Sequence, residues 1–208
     1  MASKLARPRR YLVIMAKSPR LGVAKRRLGA EIGAVAALRF YRNCLNRTCW
    51  RLGSDPRWQT LLAVTPDREL LARDWPENIP LLAQGAGDLG QRMHRIFAKL
   101  PPGDVIIIGS DIPAIDPSHV AQAFHALGRA DAVFGPATDG GYWLVGLKRR
   151  PAALNAFADV RWSGPHALAD TLANLDGKNI ALTATLSDVD EARTYRACRN
   201  KAGRLVAT

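Results

Sequence analysis

Two patterns alternate along the chain: short runs in which every position is apolar, and longer segments in which apolar residues recur every three or four positions. Tyr11 to Ala16 and Val105 to Ile108 are too short for helices and show no polar face, so they predict buried, parallel strands. Gln59 to Thr65, Ile79 to Ala83, Ala132 to Phe134, Tyr142 to Leu147 and Ile180 to Thr183 read as further strands. Gly33 to Leu52 carries Val35, Leu38, Leu45, Cys49 and Leu52 at helical spacing and is closed by Gly53. Asp88 caps a helix through Lys99, and Asp116 followed by Pro117 opens one over Ser118 to Leu127. Pro66 to Arg73 and Pro165 to Leu175 predict shorter helices. Leu186 to Asp190 leads into a last one, with Asp190, near Arg193, as its cap. Phe157 to Trp162 is irregular, and Lys148-Arg149-Arg150-Pro151 marks a break.

Strands alternating with helices imply an α/β three-layer sandwich with a mostly parallel central sheet, to which the strand pair around Asp139 adds an antiparallel element. No repeat, low-complexity segment or linker divides the 208 residues, so the expectation is one domain over 1–208 with 1–9 as a basic tail.

In such sheets, ligands lie beyond the carboxyl ends of the strands. Val105 to Ile108 breaks there into Gly109-Ser110-Asp111-Ile112-Pro113. Pro113 disfavours a helical Ile112, and the next helix has its own cap, so Asp111 is left without a local structural task. A carboxylate at the mouth of a buried strand calls for a cation, either a hard divalent ion bridging to a phosphate or the side chain of a distant Arg. Asp139, at the end of the strand from Ala132, stands in an Asp-Gly pair that is itself a hairpin-turn signal. Tyr142-Trp143, directly after Gly140-Gly141, sets aromatic surface beside this second acid, which suits a sugar or base site as well as a packed core.

Composition adds little until charge is mapped. With 48% hydrophobic and 23% charged residues, the chain is ordinary for a soluble globular protein. No apolar run approaches the roughly 18 residues of a membrane span. Tyr11 to Ala16 is too short for a signal-peptide core, so a cytoplasmic location is expected. Cys44, Cys49 and Cys198 lack metal or redox spacing and read as free thiols; His94, His119, His125 and His166 share no ligand motif. The formal charge of +12 is uneven: Met1 to Arg51 holds thirteen of the thirty Lys and Arg against one acid, Glu31, leaving seventeen of each sign elsewhere. That points to an anionic partner: nucleic acid, an acidic membrane surface or a phosphate-bearing small molecule. Five of these cations, Lys17, Arg20, Lys25, Arg26 and Arg27, share the segment Lys17 to Leu28, read as a loop after the first strand, where they can neutralise a diphosphate. The segment is no Walker A loop and lacks GxGxxG. Glycines in Gln84 to Met93 permit close backbone approach to a ligand.

Taken in order, Lys25-Arg26-Arg27-Leu28, Gly87-Asp88-Leu89-Gly90 with Arg92-Met93, Gly109-Ser110-Asp111-Ile112-Pro113, Asp139-Gly140-Gly141-Tyr142 and Trp162-Ser163 carry a resemblance from Lys17 to about Asp190. They resemble the bacterial glycosyltransferase-like proteins of the nucleotide-diphospho-sugar transferase superfamily, of A-type glycosyltransferase fold. The resemblance implies that Asp111 holds Mg2+ or Mn2+ on a diphosphate. It also implies that Lys25 and Arg27 contact phosphate and that Gly87 and Leu89 lie near base and ribose; Lys17 and Arg20, from the same loop, are expected to bind phosphate with them. Asp139 would face the sugar or acceptor together with Gly140, Gly141, Tyr142, Trp162 and Ser163. The chain departs from the family pattern, which has Thr at the positions of Arg26 and Gly164. The Asp-x-Asp pair of many A-type transferases is missing at Ser110-Asp111; Asp188 or Asp190 could complete the coordination, although both read first as structural.

The leading expectation is therefore an enzyme that transfers a sugar from a nucleotide-diphosphate sugar to an unknown acceptor, with Asp139 as acceptor-side base. Phospholactate guanylyltransferases resemble the same loops, which gives nucleotidyl transfer from a nucleoside triphosphate, with pyrophosphate release, as the alternative. From another class, a non-catalytic binder of nucleic acid through the basic first quarter lacks the usual recognition motifs, and few aromatics interleave with its cations.

Overall fold

The uninterrupted apolar runs form the middle of the sheet. In the computed structural model, which describes residues 9–72, 74–149 and 154–199, the strands are β1 (Arg10–Lys17), β2 (Gln59–Thr65), β3 (Leu81–Ala83), β4 (Gly103–Gly109), β5 (Ala132–Pro136), β6 (Tyr142–Arg149) and β7 (Ile180–Leu182). They form one seven-stranded sheet in the order β3-β2-β1-β4-β6-β5-β7. Every pairing is parallel except those of β6, which runs antiparallel to β4 and β5.

The helices are α1 (Arg26–Ile32), α2 (Ala34–Gly53), α3 (Leu89–Lys99), α4 (Pro117–Arg129), α5 (Ala167–Ala173) and α6 (Ala192–Ala197). Both faces of the sheet are covered, which is why its central strands carry no polar alternation. On one face Leu12, Ile14, Ile106 and Ile108 share a core with Tyr41, Leu45 and Leu52 of α2 and Val120, Phe124 and Leu127 of α4. On the other, Val13, Val105 and Ile107 share one with Met93, Ile96 and Phe97 of α3 and with Phe157, while Leu168 and Leu172 of α5 pack against it. The result is the expected three-layer α/β sandwich with a mostly parallel sheet. A third, smaller core joins Leu28 of α1 to Ala37, Phe40 and Cys44 of α2 and to Val189 and Cys198.

The caps at Asp88 and Asp116 form as expected: Asp88 accepts from Gln91 N at 2.8 Å and Asp116 from Ser118 N at 2.9 Å. Asp190 is not a cap; Glu191, paired with Thr194, opens α6 instead. The Lys17 to Leu28 segment is a loop only as far as Lys25. Arg26–Ile32 folds as α1, although Leu28 is its one buried residue, too sparse a pattern to announce a helix. The short helix after Pro66 is a 3-10 turn over Asp67–Leu71. No break falls at Lys148 or Arg149: β6 runs on because these residues pair in register with Asp104 and Gly103. Lys4 and Arg7 of the basic tail, the expected helix end at Arg73 and the expected break at Arg150-Pro151 lie outside the described residues. Among the described residues no helix is long and apolar enough to cross a membrane.

Candidate active site

Because β1, β2, β4 and β5 run the same way and β6 runs back, the ends of the first four and the start of the last meet at one edge. Lys17, Ser110-Asp111 and Tyr142 gather there, with Gln84 just after β3. Buried Gln84 donates its amide to the carbonyls of Ala16 (3.1 Å) and Ala63 (2.8 Å), tying β1 to β2. The Tyr41 hydroxyl of α2 accepts the Lys17 N–H and donates to the Lys17 carbonyl, both at 2.9 Å, and lies 3.2 Å from Ser110 Oγ. Burial raises the Tyr41 pKa above the ordinary tyrosine range, so it remains a neutral hydroxyl.

Lys25 occupies the centre of this edge. Its backbone is left-handed (φ 52, ψ 46), a region non-glycine residues rarely adopt, and its side chain is 3% exposed. Nζ lies 2.6 Å from Asp111 Oδ2 and 2.5 Å from Asp190 Oδ1. Burial alone would lower the lysine pKa, but the two carboxylates outweigh it and hold it above the usual range. Asp190 arrives by a non-local route. Ala137 bridges to Leu186, Thr138 Oγ1 lies 3.0 Å from Ser187 Oγ, and Val189 is buried in the third core, which fixes the acids on either side of it.

Asp111, Asp188 and Asp190 each offer a carboxylate oxygen, all within 4.8 Å of one another, a hard oxygen set that could hold a divalent ion. Three carboxylates face one ammonium. Burial first, and then the negative charges of Asp111 and Asp190, push Asp188 up to about 6. Since a cation needs the ionised form, Mn2+ affinity is expected to rise with pH through about 6 and then level off, a step that Asp188→Asn removes; titration calorimetry across that range checks it. The folded pKa lies above the unfolded one, so the stability Asp188 contributes when protonated is lost as pH rises through about 6. In metal-free protein at neutral pH, Asp188→Asn is accordingly expected to stabilise by about 1 kcal/mol, after discounting for partial exposure, in urea unfolding.

Asp111 lines one cavity, and Asp190 lines both it and a second. One, of about 290 Å3, has an apolar wall that includes Met15, Leu89, Met93 and Leu144, with Tyr142 and Arg92 at its polar side. The other, of about 490 Å3, is lined by Lys17, Val23, Lys25, Arg26, Arg27, Asp139, Ser163, Gly164, Pro165 and Asp190. Lys17, Lys25 and Asp190 line both.

The structure thus brings together Asp111, Lys17, Lys25, Leu89 and Tyr142 around the first cavity, and Arg27, Asp139 and Ser163 around the second. The positions of the two family departures, Arg26 and Gly164, both face the second. Arg20 lines neither cavity; its guanidinium is 3.1 Å from Glu69 and 3.8 Å from Asp74. Gly87 serves indirectly, its carbonyl accepting from Arg92 Nε at 2.8 Å. Trp162 is a packing residue, its ring 6.4 Å from those of Tyr142 and Phe157.

Gly140 and Gly141 shape the turn that presents Asp139. The Gly141 N–H donates to Asp139 Oδ1 at 2.9 Å, and Gly140 has φ 87 with Pro165 packed where a Cβ would go. Gly140→Ala is expected to cost about 2 kcal/mol or more in urea unfolding, combining left-handed strain with displacement of Pro165. Asp188 and Asp190 were signalled in the sequence as an Asp-Val-Asp triplet after the last strand, where a helix-cap reading competed with it. Tyr41 and Gln84 carried no local signal. The three cysteines are buried, and burial pushes the Cys44 and Cys49 thiols up to about 12, so neither is primed for chemistry.

The architecture is that of nucleotide-diphospho-sugar transferase-like proteins. The solved structure of a presumed nucleotide-diphospho-sugar transferase from Desulfovibrio desulfuricans G20 superposes with a TM-score of 0.80 at 25% identity, over 93% of this chain and 89% of that one. The chain belongs to the family described as "Uncharacterized protein conserved in bacteria (DUF2064)", whose profile matches residues 48–164. More distant structures share the fold. 4-Diphosphocytidyl-2C-methyl-D-erythritol synthase from Anaerococcus prevotii DSM 20548 has a TM-score of 0.57 at 12% identity, over 97% of this chain and 91% of that one. Rv0371c of Mycobacterium tuberculosis H37Rv, solved in complex with manganese, has 0.54 at 13% identity, over 92% and 97%. No curated protein sequence matches the chain.

Proposed function

We propose that the chain is a metal-assisted transferase whose donor is a nucleotide-diphosphate sugar. The carrying observation is the cluster of Asp111, Asp188 and Asp190 beside Lys25, which lines both cavities. The apolar wall of the smaller cavity suits a nucleoside, with Leu89 and Arg92 beside it. Lys17, on the shared boundary, suits the diphosphate. The three acids fit Mg2+ or Mn2+, and a divalent ion there would offset charge gathering on the leaving diphosphate. Manganese bound to Rv0371c, which has the same fold, supports that choice of metal.

On this reading the acceptor enters the larger cavity. Its hydroxyl oxygen forms the bond to the anomeric carbon as that carbon's bond to the diphosphate oxygen breaks. The hydroxyl proton passes to Asp139 and the nucleoside diphosphate leaves. The test is a thermal-shift panel of nucleotide sugars and nucleoside triphosphates with and without Mn2+, followed by product analysis. A Mn2+-dependent shift with nucleotide sugars and release of nucleoside diphosphate is the expected result. The fold shared with the diphosphocytidyl synthase supports a second reading, nucleotidyl transfer. Pyrophosphate released from a triphosphate, with no response to any sugar nucleotide, would replace the first reading with the second.

A further inference from the structure

The larger cavity carries more positive charge than the proposed transfer needs. Of its charged lining, Lys25 and Asp190 neutralise each other at 2.5 Å, and Asp139 is the remaining acid. Against it stand Arg26 and Arg27, together with Lys17, which the donor diphosphate engages; the side chains of all three have no ion pair or hydrogen bond among the described residues. Arginines just outside are committed elsewhere: Arg20 to Glu69, Arg42 to the Pro19 carbonyl at 3.0 Å, and Arg161 to Asp170 at 2.8 Å. The guanidiniums of Arg26 and Arg27, which open α1 and line this cavity, are unpaired among the described residues. Opposite them, Ser163, Gly164 and Pro165 close the wall. Ser163, like Lys25, is held in the left-handed region (φ 63).

Resting on the transferase reading, we infer that the acceptor is a small hydroxyl compound bearing an anionic group, a phosphate or a carboxylate, which Arg26 and Arg27 read while its hydroxyl faces Asp139. Guanidinium forks match both anions with paired hydrogen bonds. With Lys17 meeting the donor diphosphate, a neutral acceptor would leave the exposed Arg26 and Arg27 facing the single acid Asp139. An anionic one brings the balance of the cavity close to zero, and its hydroxyl is delivered to the side of the cavity that holds the base.

The test is titration calorimetry on the full chain with Mn2+ and an equimolar mixture of UDP, GDP, ADP and CDP. The titrants are two matched pairs: glycerol 3-phosphate against glycerol, and gluconate against glucose. At least one anion is expected to bind about tenfold or more tightly than its neutral partner, and the pair that separates tells phosphate from carboxylate. Arg26→Gln and Arg27→Gln should each weaken that anion by about tenfold. Arg26→Gln should leave the Mn2+-nucleotide melting shift unchanged. Equal binding of charged and neutral partners, no binding of either anion, or an anion indifferent to Arg26→Gln overturns the inference. Loss of the Mn2+-nucleotide shift in Arg26→Gln overturns it too, assigning that arginine to the donor. Arg26-dependent anion binding in a chain that shows no Mn2+-nucleotide response would instead sink the transferase reading and leave the anion site standing.

Discussion

Replacing Asp111 by Asn is expected to abolish the Mn2+-dependent response to nucleotide while leaving the protein folded. The substitution keeps the shape and one oxygen but removes a full charge from a cluster in which three carboxylates face a single ammonium. Lys25 keeps Asp190 at 2.5 Å, so the fold loses one arm of a clamp and about 1 kcal/mol, little enough to leave a cooperative urea transition. Metal binding suffers far more. Outer partners of metal ligands already cost 10- to 100-fold when mutated, so a direct ligand should cost on the order of a hundredfold or more in Mn2+ affinity. On the transferase reading, turnover should fall on the order of a thousandfold, about 4 kcal/mol of transition-state stabilisation. An Asn variant that kept the Mn2+-dependent thermal shift of the parent would remove Asp111 from the site.

Lys25→Met should behave in the opposite sense, losing stability that metal restores. The ammonium is nearly fully buried and is the one cation in direct contact with the cluster among the described residues. Removing one member of a buried pair typically costs 3–5 kcal/mol; Asp111 and Asp190, with side chains 28% and 49% exposed, recover part of that from water, which leaves about 2–3 kcal/mol. The lysine pKa is raised in the folded state, so this stability is fully present below the unfolded value of about 10.4 and is lost only as pH rises through the higher folded one. The deficit should therefore be the same at pH 7 and pH 9. Saturating Mn2+, by supplying the missing positive charge, should recover most of it in urea unfolding. A deficit that Mn2+ leaves untouched would mean that the acids do not share a cation site.

The strands were legible because a strand covered on both faces needs no polar alternation: β1, β2 and β4 announce themselves as unbroken apolar runs. β3 is three residues long and half-buried, so its start at Ile79 was overestimated. α1 was invisible because packing of Leu28 against Ala37 and Phe40, rather than an amphipathic stripe, sustains it. Asp111 could be singled out by elimination, since Pro113 and Asp116 removed its local roles. Its true partners could not, because Lys25 and Asp190 are far away in sequence and meet it only through β1, α1 and the bridge from Ala137 to Leu186. Asp190 was misread because an acid before a short helix is usually a cap; here Glu191, one residue later, takes that role, and burial of Val189 fixes the pair for other use.

Tyr41 gives α2 a second duty beyond covering the sheet. A single phenolic oxygen accepts the Lys17 N–H, donates to the Lys17 carbonyl and reaches toward Ser110, so a helix belonging to neither ties together the two chain segments that carry the charged centre. Side-chain changes along the buried stripe of α2 are expected to reach Lys17 and Ser110 through this hydroxyl. The helix acts as the calliper of this edge, and its packing residues bear on the geometry there as well as on stability.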